Sequence, residues 1–335
     1  YEGTMAYHRF AFQAMHEIVE AGRKMGLPLH KHPKLRAMVE GPLKASYPDG
    51  NFPVINDSDP MSIGGFRGYF RWGWETYREP IFAQAWAQGD AKKLHELLGE
   101  DAQVEWPLAT GSDNLPDAGL VKLEVGKGRD AACVFLDYGP HGGGHGHFDK
   151  LNIMLFARGR EWLLDPGRIN YRHKEYKTWV KHTAAHNTVA LGERSQMPTT
   201  GRLLWFEAKG GYAACAAESA SAYPGATLRR YLLLRPRFLV DVFEADSEQE
   251  TQIDWFAHAV SERVVPVGNL GEGREESLGE DNGYQHLTGA RSWRPGGDSQ
   301  WDFAWRDQRL RLRLLGNGDE KVFTATGIGY RVDQQ

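Results

Sequence analysis

The densest chemistry in the chain lies between Asp137 and Lys150. Three histidines and two carboxylates crowd there into a segment with five glycines. Glycine lets a backbone turn tightly and leaves room beside it for a ligand. If His145-Gly146-His147 is extended, its two imidazoles face one side. Such a pair can hold a metal, a carboxylate or one of each. A polar turn with backbone-bonded histidines is the plainer explanation, but bland turns rarely gather this much imidazole. Downstream, Asp165 follows the apolar Leu163-Leu164 and opens Asp165-Pro166-Gly167, which alone reads as an ordinary turn. His186, in Ala184-Ala185-His186-Asn187-Thr188, stands just before a β-rich stretch. His147, Asp165 and His186 together make a two-histidine, one-carboxylate set suited to Zn²⁺. Spacings of about 20 residues make that a weak grouping by itself. Near the start, Glu2-Gly3-Thr4-Met5-Ala6-Tyr7-His8 sets a phenol and an imidazole at the mouth of a helix, where a simple capping turn would also serve.

These side chains need elements to position them. Residues 1–105 read as helical. Ala11, Met15, Ile18, Val19, Gly22 and Met25 recur at spacings of three and four, which marks one helical face. Gly26 and Pro28 stop it, Pro33 opens the next helix, and Pro42 kinks or ends that one. Phe66–Tyr77, Ile81–Gln88 and Ala91–Leu98 read as further helices. Residues 106–119, punctuated by Pro107, Gly111, Pro116 and Gly119, read as a linker. From 120 to 335 the pattern is β: about a dozen short runs of strand formers separated by glycine-containing turns, which predicts an antiparallel sandwich. Lys174–Thr183 reads as a helical turn or ordered loop, and Gly271–Gly297 as a loop or weakly paired hairpin.

Composition sets outer limits. A chain of 335 residues suits two domains or one large one. With 41% hydrophobic and 25% charged residues, it is neither a disordered tail, a fibre nor a membrane bundle. No apolar run approaches the roughly 20 residues that span a bilayer, so a bacterial cytoplasm or periplasm is expected rather than a membrane. A net charge of −4 argues against general nucleic-acid binding and leaves room for a local cationic site facing an acidic substrate. Two cysteines are too few for a disulfide framework or a Cys-rich zinc site. The chain begins at Tyr1 on the approach to a helix, and no signal-peptide pattern is visible.

Tyr7-His8 after Glu2-Gly3, the run Asp137-Tyr138-Gly139-Pro140-His141-Gly142-Gly143-Gly144-His145-Gly146-His147-Phe148-Asp149-Lys150-Leu151, then Asp165-Pro166-Gly167 and Ala185-His186-Asn187-Thr188, resemble the heparinase II/III-like polysaccharide lyases, above all the oligoalginate and exo-acting glycosaminoglycan lyases. The resemblance covers roughly residues 1–195, in order and spacing. It implies an α+β multidomain fold, the C-terminal part of an incomplete (α/α) toroid followed by an antiparallel β-sandwich. It also implies β-elimination on 4-linked uronic-acid chains of alginate or heparin/heparan type. By that resemblance Tyr7 is the catalytic acid, and also a candidate base. His145 faces the substrate carboxylate, and a second tyrosine, Tyr171 or Tyr176, approaches the cleft. His147, Asp165 and His186 hold Zn²⁺ with water as the fourth ligand, and no organic cofactor is expected. His8, His141, Arg168 and Arg194 are candidate substrate-binding residues, although arginines such as these are more often surface groups. The family's Asn-His pair in the helical part is absent from this sequence, so the resemblance assigns no histidine base here.

The expected partner is an acidic poly- or oligosaccharide, with neither nucleic acid nor membrane, and with a missing N-terminal helical portion or a second copy as structural partner. Two other classes compete. An acidic-sugar-binding protein of the same fold would bind without forming an unsaturated product. A metal-dependent hydrolase would use the His/Asp cluster with an open metal position.

Overall fold

The computed structural model describes residues 3–329, so Glu2 of the N-terminal motif lies outside the described residues. Helices come first: α1 (Met5–Lys24), α2 (Pro33–Lys44), α3 (Arg67–Tyr77), α4 (Pro80–Ala87) and α5 (Ala91–Leu98). Their starts follow from local chemistry. Thr4 Oγ1 accepts the Tyr7 backbone N–H at 3.2 Å, Pro33 and Pro80 stand in first turns, and Asp90 accepts from Lys93 N–H at 3.0 Å. The helix α2 runs two residues past Pro42 and stops. Phe12, Val39, Phe66, Phe70 and Phe82 form the helical core. Gly73 lets α3 come close, since a Cβ there would stand 2.8 Å from Val39.

The apolar stripe expected on α1 splits. Val19 and Gly22 are buried together with Phe12, whereas Ala11, Met15, Ile18 and Met25 are exposed. This helix carries apolar side chains on two faces, and periodicity alone does not say which of them the core covers.

The β part begins inside the stretch read as linker. Strands β1 (Asp113–Leu115), β2 (Leu120–Val125), β3 (Ala132–Asp137), β4 (Ile153–Ala157) and β5 (Arg160–Leu163) form one antiparallel sheet in that order. After β6 (Val189–Leu191) come β7 (Arg202–Lys209), β8 (Tyr212–Tyr223), β9 (Ala226–Arg235) and β10 (Phe238–Ser247), a four-stranded meander. Then β11 (Ile253–Trp255) pairs with β6. Two three-stranded sheets finish the chain. They are built from β12 (Arg263–Pro266), β13 (Arg274–Glu275), β14 (Thr288–Trp293), β15 (Ser299–Trp305), β16 (Gln308–Leu314) and β17 (Val322–Thr326). The 271–297 stretch takes its hairpin form, with Arg274 opposite Ser292 and Glu275 opposite Arg291.

The sandwich core lies between the first two sheets, where Val121, Leu123, Val134 and Ile153 meet Cys215, Leu228 and Leu232. The other face of the first sheet is covered as well. Cys133, Phe135, Met154 and Phe156 pack against Tyr47 and Ile55 from the helical part. All six residues of β3 are therefore buried, and the first five read as a continuous apolar run rather than an alternation. The connections 138–152 and 164–188 leave the same end of this sheet. The segment after Ile55 runs directly into them.

Candidate active site

Three pieces of chain meet at that end. Asn56, in a left-handed conformation at φ 52°, accepts the His147 backbone N–H on its side-chain oxygen at 3.0 Å. The Asp57 N–H donates to the His145 carbonyl at 3.2 Å, and the Arg168 N–H donates to the Ser58 carbonyl at 3.1 Å. Residues 56–58 are thus pinned between the two connections. Gly146 makes the first connection close: a Cβ there would sit 1.4 Å from the His141 carbonyl oxygen. Gly167, at φ 58°, lets Val54 pack against the second.

Tyr7, in the first turn of α1, points its hydroxyl at His145, 3.0 Å from Nε2 and 3.2 Å from Nδ1. His145 Nδ1 lies 2.9 Å from Asp57 Oδ2. The Tyr171 hydroxyl is 3.5 Å from that of Tyr7 and 3.4 Å from His145 Nδ1. Tyr176 opens a π-helical turn, Tyr176–Val180, of the kind often found at functional sites. The turn buries Tyr176 and aims its hydroxyl at Asp57 Oδ2, 2.7 Å away. Lys181 Nζ donates to the Gly144 and Gly146 carbonyls and stands 3.8 Å from Asp57. Burial pushes the Asp57 pKa up, but hydrogen bonds from His147, Tyr176 and His145 outweigh it, so the net shift is downward. Burial raises the Tyr171 and Tyr176 phenols, and it lowers Lys181 despite the nearby Asp57.

The remaining candidates separate. His8 turns into the helical part, where Nε2 meets the Met38 carbonyl at 2.8 Å and burial lowers its pKa. His141 stacks on Phe148 and braces the loop through the His147 carbonyl at 2.9 Å. Arg168 grips Asp59 with Nη2 2.7 Å from both carboxylate oxygens, and its guanidinium lies 5.1 Å from the Tyr171 ring centroid. Arg194 is exposed in the turn after β6, and its backbone carbonyl accepts from Tyr223.

Behind His145 lies a second, fully buried group. Atoms of His147, Asp149, Asp165 and His186 come within 4.8 Å of one another, a set able to hold a metal ion. His147 Nε2 is 3.1 Å from Asp57 Oδ1, while its Nδ1 has no hydrogen-bond partner. Neither Asp149 oxygen has a hydrogen-bond partner, and the Lys150 ammonium is 3.4 Å away. His186 Nε2 meets the Val180 carbonyl at 3.0 Å, and its Nδ1 is 3.2 Å from Asp165 Oδ2. If Nε2–H donates to Val180, Nδ1 and the carboxylate are two acceptors that require a proton or a metal between them. Burial lowers the His186 pKa, but Asp165 outweighs it and the net shift is upward, as expected of a pocket that wants positive charge. Direct hydrogen bonding within the set therefore accounts for His186–Asp165 and leaves His147 and Asp149 unsatisfied, which fits a cation. Asp165 also closes its own turn by accepting the Gly167 N–H at 2.8 Å, so the turn and the cluster coexist.

Asp57, Asp149 and Lys181 were not among the residues the sequence singled out. Asp149 stood inside the glycine-rich run. The only hint for Asp57 is an Asn56-Asp57 pair directly after the apolar Phe52-Pro53-Val54-Ile55.

The family model for the C-terminal part of heparinase II/III-like proteins matches residues 107–325. This chain belongs to the heparinase II/III-like family. It is 29% identical over 250 residues to an exo-oligoalginate lyase of Saccharophagus degradans, covering 65% of this chain and 33% of that protein. It is 30% identical over 253 residues to an alginate lyase of Stenotrophomonas maltophilia, covering 67% of this chain and 32% of that protein. Among solved structures, a heparan sulfate lyase of Pedobacter heparinus superposes with a TM-score of 0.64 at 17% identity, over 97% of this chain and 51% of that one. A heparinase III superposes with a TM-score of 0.64 at 16% identity, over 98% and 54%. The fold expected from the sequence, helices of a toroid followed by an antiparallel sandwich, is the fold these structures share. The chain spans about a third of the curated relatives it matches and about half of the solved ones. No helix among the described residues is long and apolar enough to cross a membrane.

Proposed function

We propose that this site cleaves 4-linked uronic-acid oligo- or polysaccharides by β-elimination. The observation that supports it most is the convergence of the Tyr7, His145 and Tyr171 polar atoms within 3.5 Å, with Asp57 behind the imidazole. Elimination breaks C5–H and C4–O4 and forms a C4=C5 double bond. It needs a base, an acid and donors that quench the carboxylate charge. In this reading Tyr7 passes its phenolic proton to His145, takes the C5 proton and hands it to O4. His145 then returns the first proton to Tyr7. That cycle lets one tyrosine serve as both base and acid. Tyr171, rather than the buried Tyr176, is the second cleft tyrosine and donates to the carboxylate, with Arg168 at the rim. His8 and His141 hold the walls of the site rather than substrate, and Arg194 stands apart from it.

The buried cluster is read as a Zn²⁺ site, because two imidazoles with carboxylates suit zinc better than Mg²⁺ or Ca²⁺. Asp149 offers a fourth protein ligand in place of the expected water. Bound there, the ion supplies positive charge that balances two buried carboxylates and ties the two connections together. Complete burial of all four residues argues against a hydrolytic metal centre, which needs an open position.

The uncovered face of α1, with Ile18 56% and Met25 75% exposed, supports one more element of the reading: a helical surface of the same polypeptide or of a second copy packs there and completes the cleft. Alginate is the first substrate to test, since the relatives found by sequence are alginate lyases by name, and heparan sulfate is the second. Growth of absorbance near 235 nm supports elimination. Binding without that product favours the sugar-binding alternative.

A further inference from the structure

One carboxylate touches both halves of the site. Asp57 Oδ2 faces His145 Nδ1 at 2.9 Å and the Tyr176 hydroxyl at 2.7 Å, and Oδ1 faces His147 Nε2 at 3.1 Å. The side chain is buried, and its own N–H is held by the His145 carbonyl. An ionised carboxylate only accepts hydrogen bonds, so each ring nitrogen facing it must carry its hydrogen. A neutral His145 is then Nδ1–H with a free lone pair on Nε2, the nearer of its two nitrogens to the Tyr7 hydroxyl, at 3.0 Å against 3.2 Å. A neutral His147 is Nε2–H with a free lone pair on Nδ1, which has no hydrogen-bond partner, and the residue is one of the four in the His/Asp cluster. The two histidines are two residues apart, yet they are held in opposite tautomers by the two oxygens of one acid.

We infer that Asp57 is a positioning residue that sets both tautomers at once, making His145 the acceptor of the Tyr7 proton and His147 a donor of its lone pair to the metal cluster. The inference rests on the function proposed above for what His145 then does, but the tautomers themselves follow from the contacts of Asp57 alone. Tyr176 is its third partner and keeps the carboxylate turned. A carboxylate that orients one histidine is a familiar device in proton relays and in metal sites. Here one carboxylate serves both, so relay and cluster are not independent.

Asp57→Asn separates this role from a packing role. Asparagine keeps the shape but has one acceptor oxygen and one NH₂. If its oxygen faces His145, the NH₂ confronts His147 Nε2–H, and His147 must move its hydrogen to Nδ1. If its oxygen faces His147, His145 must move its hydrogen to Nε2 and can no longer accept from Tyr7. Long-range ¹H–¹⁵N spectra of histidine-labelled protein read both rings, with His145→Gln and His147→Gln spectra giving the assignments. The unmodified protein should show Nδ1–H at His145 and Nε2–H at His147, and Asp57→Asn should reverse at least one. Turnover should fall about 10²–10⁴-fold with KM changed less than about threefold. Tyr176→Phe, which keeps the carboxylate, should leave both tautomers in place. The unmodified spectrum alone decides the assignment if the Asn variant does not fold, and it is read without substrate, so it stands apart from the elimination assay. The opposite tautomer at either histidine in the unmodified protein, or unchanged tautomers in Asp57→Asn, would overturn the inference.

Discussion

Replacing Gly146 with alanine tests whether the site depends on the tight path of the first connection. The added Cβ would stand 1.4 Å from the His141 carbonyl oxygen, 2.5 Å from its carbon and 3.2 Å from the Gly142 nitrogen, all backbone atoms, whereas ordinary contact begins near 3.4 Å. The strands of this loop must separate by about 2 Å to admit the methyl group. His145 and His147 flank the glycine and hold Asp57 at 2.9 and 3.1 Å, so a shift of that size carries both past the limit of a hydrogen bond. The expected cost is about 2–4 kcal/mol of stability, in line with overpacking and a broken buried network. Turnover should fall at least ~10²-fold, the penalty for misplacing reacting groups by an ångström. Gly144→Ala is the control, because a Cβ there meets nothing within 4 Å. Initial rates at 235 nm and thermal melts are the measurements. If Gly146→Ala stayed within threefold of the unmodified rate with an unchanged melting temperature, the loop geometry would not be what positions the two histidines.

Tyr7→Phe should lower kcat by ~10²–10⁴, the usual worth of a positioned proton donor, with KM nearly unchanged because the ring still packs 4.5 Å from the His145 ring; near-native turnover would move the acid to Tyr171. Elemental analysis should find about one zinc per chain, and His186→Ala should lower metal content, melting temperature and activity together. Zinc below a tenth of an equivalent in active protein would refute the metal reading. Glu161, half-buried with the Tyr47 hydroxyl 2.8 Å away, has its pKa pushed up to about 7 by desolvation. Its folded state then holds a proton that the unfolded chain has released, so stability should decline between roughly pH 4.5 and 7 by up to ~1.4 kcal/mol per unit. Glu161→Gln should flatten that slope in denaturant titrations, and an unchanged slope would assign it to other groups.

Much of the architecture was legible because it follows local rules. Pro33 opens α2, and the Val322–Thr326 strand falls where its β-branched and aromatic residues put it. The uncertain places have physical causes. Strands β12 and β13 are only four and two residues long, β12 ends on a proline and β13 is Arg-Glu, so they pair through long-range register more than propensity. The stripe on α1 was visible, but its covered face was not, because two apolar faces give the same period. Tyr171 and Tyr176 look alike in sequence, and only the π-turn that buries one of them tells them apart. Asp57 was the hardest to see. It sits in an irregular segment, and its partners His145, His147 and Tyr176 are 88, 90 and 119 residues away.

The most direct measurement is the product itself. Purified protein incubated with alginate oligosaccharides, and in parallel with heparan sulfate oligosaccharides, should release fragments whose new non-reducing end carries a C4=C5 double bond, seen as absorbance near 235 nm and as a vinylic H4 proton by NMR. Mass spectrometry should show the fragments summing to the substrate mass with no water added. Cleavage that adds one water per bond, or tight binding of these sugars with no cleavage by protein carrying its full metal complement, would contradict the account.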